Sequence, residues 1–269
     1  MRPPFRGIRG GPQAVGLLSV APLMEGRGTT AHVYTSWGQR NEGAFGSAVR
    51  WGVDQSFGPC GSFDGTTTSR IDLAGLAGVG STFEPFFLSC WVFVPANTGG
   101  AFIKLSRNQG EVGEGGFGLG IGSGNWDSDG AELIGLIENI AWRPTGINLA
   151  LGQWQLVGME IPPASSGNYK FYINGAFVFQ SASSSDATTP VSVAIGGYSA
   201  GITARYGVYK IADVRFYSQV PSLATLAAMY APATRWALYQ TERRRIWDVP
   251  SAAAAAGKPW HYYQQQMSA

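Results

Sequence analysis

Charge is scarce in this chain of 269 residues: Asp, Glu, Lys and Arg together make up 13% of it, about half the usual share, and the formal net charge is only +2. The basic residues are scattered apart from Arg243-Arg244-Arg245, so no electropositive stripe for a nucleic-acid backbone forms and no nucleic-acid partner is expected. Histidine is rarer still. His32 and His261 are the only two, too few for a zinc cluster or for a Ser/His/Asp triad in addition to any other role. The two cysteines, Cys60 and Cys90, could pair in principle, but two thiols in a chain without a secretory signal are expected to stay reduced and buried. Apolar runs such as Phe86 to Val94 are strand-sized, and none approaches the roughly twenty residues needed to cross a bilayer. The opening Met1-Arg-Pro-Pro-Phe-Arg-Gly-Ile-Arg9 carries charge without the apolar stretch of a signal peptide. The expectation is a soluble chain made in a cytoplasm, with no membrane insertion.

Glycine is abundant at 38 residues and proline at 15, while 45% of the chain is apolar and 13% aromatic. That is the composition of strands joined by turns around a substantial core. Period-two alternation is clearest in Tyr169-Lys-Phe-Tyr-Ile173, then Asn174-Gly175, then Ala176-Phe-Val-Phe179. Asn-Gly between two such runs predicts a hairpin, because both central residues of a type I′ turn need positive φ. Further strands are predicted at Phe117 to Ile121, Glu132 to Ile140, Trp154 to Ile161, Pro190 to Ile195 and Tyr206 to Tyr217. Spaced without intervening helical patterns, they imply two packed antiparallel sheets. Pro221 to Tyr230 predicts one short helix, with Ser222 as its N-cap and Pro232 as its stop.

Residues 231–269 then form a tail rich in aromatic and basic side chains. Trp236, Tyr239, Trp247, Trp260 and Tyr262 give it too much ring surface for a free linker. Together with Arg243, Arg244 and Arg245 they are the candidate partner-docking residues, since aromatic and Arg side chains most often anchor interfaces. The chain therefore divides into an arm (1–15), a sandwich (16–230) and a docking tail (231–269).

Catalytic and metal chemistry find little support. Glu132 and Glu138 share a strand face but stand about 20 Å apart at about 3.3 Å per residue, far beyond a glycosidase pair. Asn125-Trp-Asp-Ser-Asp-Gly130 begins like a calcium loop, yet the twelfth position is Leu136 where a bidentate Glu is needed. Asp127 and Asp129 are a weak calcium candidate only, and no metal, cofactor or catalytic residue is assigned. The glycines between Gly113 and Gly124 are expected to permit turns and close strand contact. Sugar binding needs an exposed aromatic platform beside polar groups, and Trp37, Trp126 and Trp142, each near loop-type sequence, are the candidates. Trp91 and Trp154 are expected to be buried.

Six blocks in one order carry a resemblance: Gly16-Leu-Leu-Ser-Val-Ala21, Ser62-Phe-Asp-Gly-Thr66, Phe87-Leu-Ser-Cys-Trp-Val-Phe-Val-Pro95, Gly152-Gln-Trp-Gln-Leu-Val-Gly158, Tyr169-Lys-Phe-Tyr-Ile-Asn-Gly175 and Ile211-Ala-Asp-Val-Arg-Phe-Tyr217. They resemble the laminin-G-like, concanavalin A-like domains, which implies an all-β jelly-roll sandwich. The two ends, Gly16 to Thr30 and Tyr230-Ala-Pro-Ala-Thr-Arg-Trp-Ala-Leu-Tyr239 with Arg243-Arg-Arg-Ile-Trp247, resemble such proteins encoded among virion structural genes of tailed phages. That implies a non-enzymatic virion component of capsid, collar or tail, homo-oligomeric and assembled in the host bacterial cytoplasm onto other virion proteins. The alternative is a carbohydrate-binding adhesin that meets a host-surface glycan through its rim loops.

Overall fold

The computed structural model of the chain describes residues 5–8, 11–35, 40–55, 57–74, 86–106, 116–123, 129–137, 141–162, 167–181, 192–197 and 206–241. Its first strands are β1 (Phe5–Ile8), β2 (Leu17–Ala21), β3 (Thr30–Thr35), β4 (Arg40–Phe45), β5 (Arg50–Asp54) and β6 (Gly58–Asp64). The next are β7 (Ile71–Ala74), β8 (Phe86–Phe93), β9 (Gly100–Ser106), β10 (Phe117–Gly122), β11 (Glu132–Ile137) and β12 (Ala141–Asn148). The last are β13 (Trp154–Ile161), β14 (Lys170–Ile173), β15 (Ala176–Gln180), β16 (Ser192–Ile195), β17 (Val208–Tyr217) and, after helix α1 (Leu223–Tyr230), β18 (Tyr239–Thr241).

Hydrogen bonding runs along the order β12-β11-β10-β9-β16-β7-β4-β3-β2-β17-β8-β13-β14-β15, with β6 joining β17 and β5 joining β6. This path doubles back so that its halves face each other. Phe117 of β10 lies 6.3 Å from Tyr169, beside β14, and Phe102 of β9 lies 5.1 Å from Tyr209 of β17, ring centre to ring centre. The result is a jelly-roll β-sandwich of antiparallel sheets, the fold expected from the sequence.

Strict alternation sorts the side chains. Leu88, Cys90 and Val92 of β8 and Val157 and Met159 of β13 enter the main core between the layers, while Phe87 and Trp91 of β8 and Leu156 of β13 face outward into a second apolar cluster. Cys60 belongs to that outer cluster and Cys90 to the inner one, so the two buried thiols lie on opposite faces of one layer and form no disulfide. Burial pushes the Cys90 thiol well above its usual pKa, with the Asp213 charge adding to the effect.

The predicted hairpin is present: Asn174 (φ 55°) and Gly175 (φ 82°) join β14 to β15. Helix α1 is capped by Ser222, whose hydroxyl accepts from the Thr225 amide at 3.2 Å. Where the helix stops, the chain does not leave the sandwich. A turn through 231–238 lays Leu238 and Tyr239 on the outer cluster, and β18 then pairs with β1.

One buried polar group holds this return. At a bulge in β17, Asp213 takes positive φ (55°) and donates its amide to the Pro22 carbonyl at 2.9 Å. Its carboxylate grips Arg215 through Nε at 2.9 Å and Nη2 at 2.7 Å, with both side chains 1% exposed. Arg215 also donates to the Gln13 side chain at 2.8 Å and to the Arg235 carbonyl at 3.0 Å, while the Tyr239 hydroxyl donates to Asp213. Removing one partner of a buried pair typically costs about 3–5 kcal/mol, because the other is left as an uncompensated charge. Urea unfolding should therefore show Asp213→Ala destabilised by about that much, and Tyr239→Phe by about 1–3 kcal/mol for the donor lost; an Asp213→Ala loss below about 1 kcal/mol would contradict this role. In a thiol titration, Cys60 and Cys90 should react only after denaturation.

Candidate functional site

The outer face of the layer containing β8, β13 and β17 carries the site. Cross-strand register sets Lys210 of β17 opposite Phe93 of β8, and Phe93 opposite Trp154 of β13. Lys210 Nζ sits 4.9 Å over the Phe93 ring and 3.5 Å from the Asp54 carboxylate. Trp154 stacks on Phe57 at 4.1 Å between ring centres and 15° between planes. Phe57 in turn contacts Trp91 at 5.0 Å and meets Trp236 edge-on at 5.1 Å. Trp91 stacks on Tyr230 at 5.8 Å.

Into this ring cluster the turn after α1 inserts Arg235. Its guanidinium carbon lies 5.2 Å from the centre of Phe57, 5.6 Å from Trp91 and 5.5 Å from Trp236. Burial lowers its pKa, opposed by the nearby Tyr230. Three nitrogens of the cluster, Trp91 Nε1, Trp154 Nε1 and Arg235 Nε, are buried without a hydrogen-bond partner. Tyr230 is 39% exposed, Trp154 and Trp236 are half-buried, and Trp91 is fully covered. Rings open to solvent on one side, with a partly exposed cation among them, can bind a ligand that offers an apolar face and an acceptor oxygen to the cation.

The residues singled out in the sequence fall differently. Trp142, a candidate glycan platform, is 4% exposed. It lies over Gly118 and Gly120 of β10, where an added Cβ would come within 3.1 and 3.0 Å of the indole, so the missing side chains let the ring lie flat on the sheet. Trp154, expected buried, is half-buried. Tyr239, expected to dock a partner, is 8% exposed and bonded to Asp213, and Trp236 packs in the chain's own ring cluster. Trp37, Trp126, Asp127, Glu138, Arg243, Arg244, Arg245, Trp247, Trp260 and Tyr262 lie outside the described residues. Asp129 is exposed, and among the described residues no three His, Cys, Asp or Glu side chains gather to hold a metal.

Phe57, Tyr230 and Arg235 were not legible as a site. Arg235 stands within the quoted Thr234-Arg-Trp236 run, but only the assembled fold brings it over Phe57 and Trp91, well over a hundred positions earlier in the chain.

No family model and no curated relative matches the chain. Solved structures do share its fold. The receptor-binding domain of botulinum neurotoxin type G superposes with a TM-score of 0.55 at 15% identity, over 80% of this chain and 51% of its own. The binding domain of Paraclostridial mosquitocidal protein 1 gives 0.60 at 11% identity, over 81% and 52%. A Trypanosoma rangeli sialidase bound to 2,3-difluorosialic acid gives 0.55 at 14%, over 80% and 33%. The chain thus spans about half the length of the toxin binding domains it matches. At such identities the likeness concerns the fold alone: a jelly-roll β-sandwich.

Because 231–239 complete the outer cluster, a chain ended after Tyr230 should unfold at markedly lower urea than one ended after Thr241, and its tryptophan emission should shift red as the Phe57 cluster opens. Equal midpoints would show that the turn is dispensable.

Proposed function

We propose that this chain is a non-enzymatic recognition module of a tailed-phage particle, attached to neighbouring virion subunits through its ends and meeting a surface saccharide with the ring cluster around Phe57. The observation that carries the binding role is that cluster, half-open at Tyr230, Trp154 and Trp236 around the partly exposed Arg235 guanidinium. Saccharides present flat C–H faces to aromatic rings and oxygen acceptors to donors. Similarity in fold to receptor-binding domains of toxins agrees with a binding role, and the end blocks quoted from the sequence support the particle. A metal or cofactor plays no part in the proposal.

The pairing of β1 with β18 favours the attachment half. It brings both ends of the described sandwich to one place, and Arg243 to Arg245, Trp247, Trp260 and Tyr262 follow Thr241 in the sequence. A module held at one pole keeps its other surfaces free. In this proposal the docking tail is the sequence after Thr241, because Leu238 and Tyr239 pack on the outer cluster and β18 pairs with β1.

Two measurements test the halves separately. Truncation after Thr241 should leave the melting curve nearly unchanged while abolishing incorporation into particles; normal incorporation would overturn attachment by the tail. On a glycan array the wild type should bind, and Trp154→Ala should weaken binding by about tenfold or more, on the order of the 1–3 kcal/mol a stacked ring supplies in other recognition sites. Absence of any glycan bound would overturn the saccharide half and leave the attachment half standing.

A further inference from the structure

Cations on the outer face of this layer are accounted for, with one exception. Lys170 pairs with Glu160 at 2.9 Å, Lys210 with Asp54 at 3.5 Å and Arg215 with Asp213 at 2.7 Å. Arg50 donates to the carbonyls of Ser47 and Val49. Of the cations on this face, Arg235 has a guanidinium that makes no hydrogen bond and no ion pair to any described residue. Its Nε is shut away from solvent and unpartnered, and the rings of Phe57, Trp91 and Trp236 lie 5.2, 5.6 and 5.5 Å from its guanidinium carbon.

A guanidinium carries five N–H donors in a planar fork, and leaving a charged donor unpaired below the surface is costly. Ring faces offset part of that cost through cation–π attraction, yet they accept none of the hydrogen bonds. Planar acceptors with two oxygens complete such a fork bidentately. A dianionic group calls for several cations, whereas this site has one unpaired charge between flat walls, which suits a singly charged, planar carboxylate.

Among the described residues, the ring surface open to solvent beside Arg235 is that of Tyr230, Trp154 and Trp236. Of the large apolar side chains that are strongly exposed, only Tyr230 belongs to this cluster. A stable protein interface needs about 800 Å² from each partner, which a few ring edges do not supply, while a monosaccharide ring is matched by them in size.

We propose that the saccharide bound here is an acidic one, its carboxylate paired with the Arg235 guanidinium and its ring face against Tyr230 or Trp154. This rests on the saccharide reading given above and specifies its chemistry. The pairing also connects ligand to fold. Arg235 offers its side chain to the ligand and its carbonyl to Arg215 at 3.0 Å, so the buried Asp213–Arg215 pair holds the backbone from which the binding fork projects.

The test is an array of matched glycans with the full chain as probe: neutral sugars, the same sugars oxidised to uronates, and those uronates as methyl esters, which keep shape and lose charge. Wild type should prefer the free uronate over its ester by about tenfold or more, the range of a charge-assisted hydrogen bond. Arg235→Gln should abolish that preference while neutral binding persists, and Arg235→Lys, which keeps charge but not the fork, should restore part of it. Should Arg235→Gln fail to fold, the Lys variant alone decides, because an unchanged preference in it overturns the fork. Equal binding of uronate and ester, or a preference indifferent to Arg235, overturns this inference while the saccharide reading survives. A chain that binds no sugar of any kind overturns both. Arg235-dependent capture of an acidic peptide from a neighbouring subunit, with no sugar bound, assigns the site to protein attachment and overturns the acidic-saccharide assignment.

Discussion

A carboxylate and a guanidinium, taken completely out of water at Asp213 and Arg215, set the constraint on which the rest of this sandwich depends. Isolated, either charge would be prohibitive in the interior. Together they form a bidentate pair, and the donors and acceptors left over must be met by other parts of the chain: Gln13 from the segment before β2, the Arg235 carbonyl from the turn after α1, and the Tyr239 hydroxyl from the start of β18. Gln13 extends the network by donating to the Thr234 carbonyl at 2.8 Å and accepting, through its own carbonyl, from the Tyr217 hydroxyl at 3.0 Å. Elements remote in sequence thereby converge on one bulge of β17. Removal from water also shows in the phenol of Tyr239, whose pKa is driven well above the usual value by burial first and by the Asp213 charge second.

That convergence gives the domain its second core. A jelly roll needs only the interior between its sheets, but here the outer face of β8, β13 and β17 is itself apolar, with Phe87, Trp91, Leu156 and Tyr217 turned outward under Leu226, Met229 and Leu238. The turn that covers them ends in a half-open group of rings around Arg235. Structural support and candidate recognition thus use the same eleven or so residues: Arg235 hangs from a backbone fixed by Arg215, and Trp236, 5.5 Å from its guanidinium carbon, lies 6.1 Å from Tyr239, which faces Arg215.

The fold was legible where local chemistry is unambiguous. Asn174-Gly175 demanded a hairpin, Ser222 a helix start, and the alternation from Trp154 to Ile161 a strand, and all three are present. Strands with weak alternation were less visible. Residues 141–148 contain Pro144, which a strand can hold because β12 ends the hydrogen-bonded path and, among the described residues, pairs with a strand on one side only. The site was largely illegible, for a physical reason. Loop-like sequence around Trp142 suggested exposure, yet exposure depends on what lies beneath, and Gly118 and Gly120 make a floor into which the indole sinks. Aromatic residues after Tyr230 suggested a partner's pocket, whereas the pocket for Trp236 and Tyr239 is the chain's own, assembled from Phe57, Trp91 and the charges of β17.

Function follows from whether residues 231–241 are truly part of the folded domain, since the Arg235 site, the outer core and the meeting of the two chain ends all require it. Native-state hydrogen exchange measures this directly at the amides of Arg235, Ala237 and Tyr239, which donate to Ala231, Thr234 and Trp236 at 2.8, 2.8 and 3.1 Å. Protection matching that of β8 and β17, lost only with global unfolding, is the result this account predicts; exchange at the rate of an open loop while β8 and β17 remain protected would contradict it.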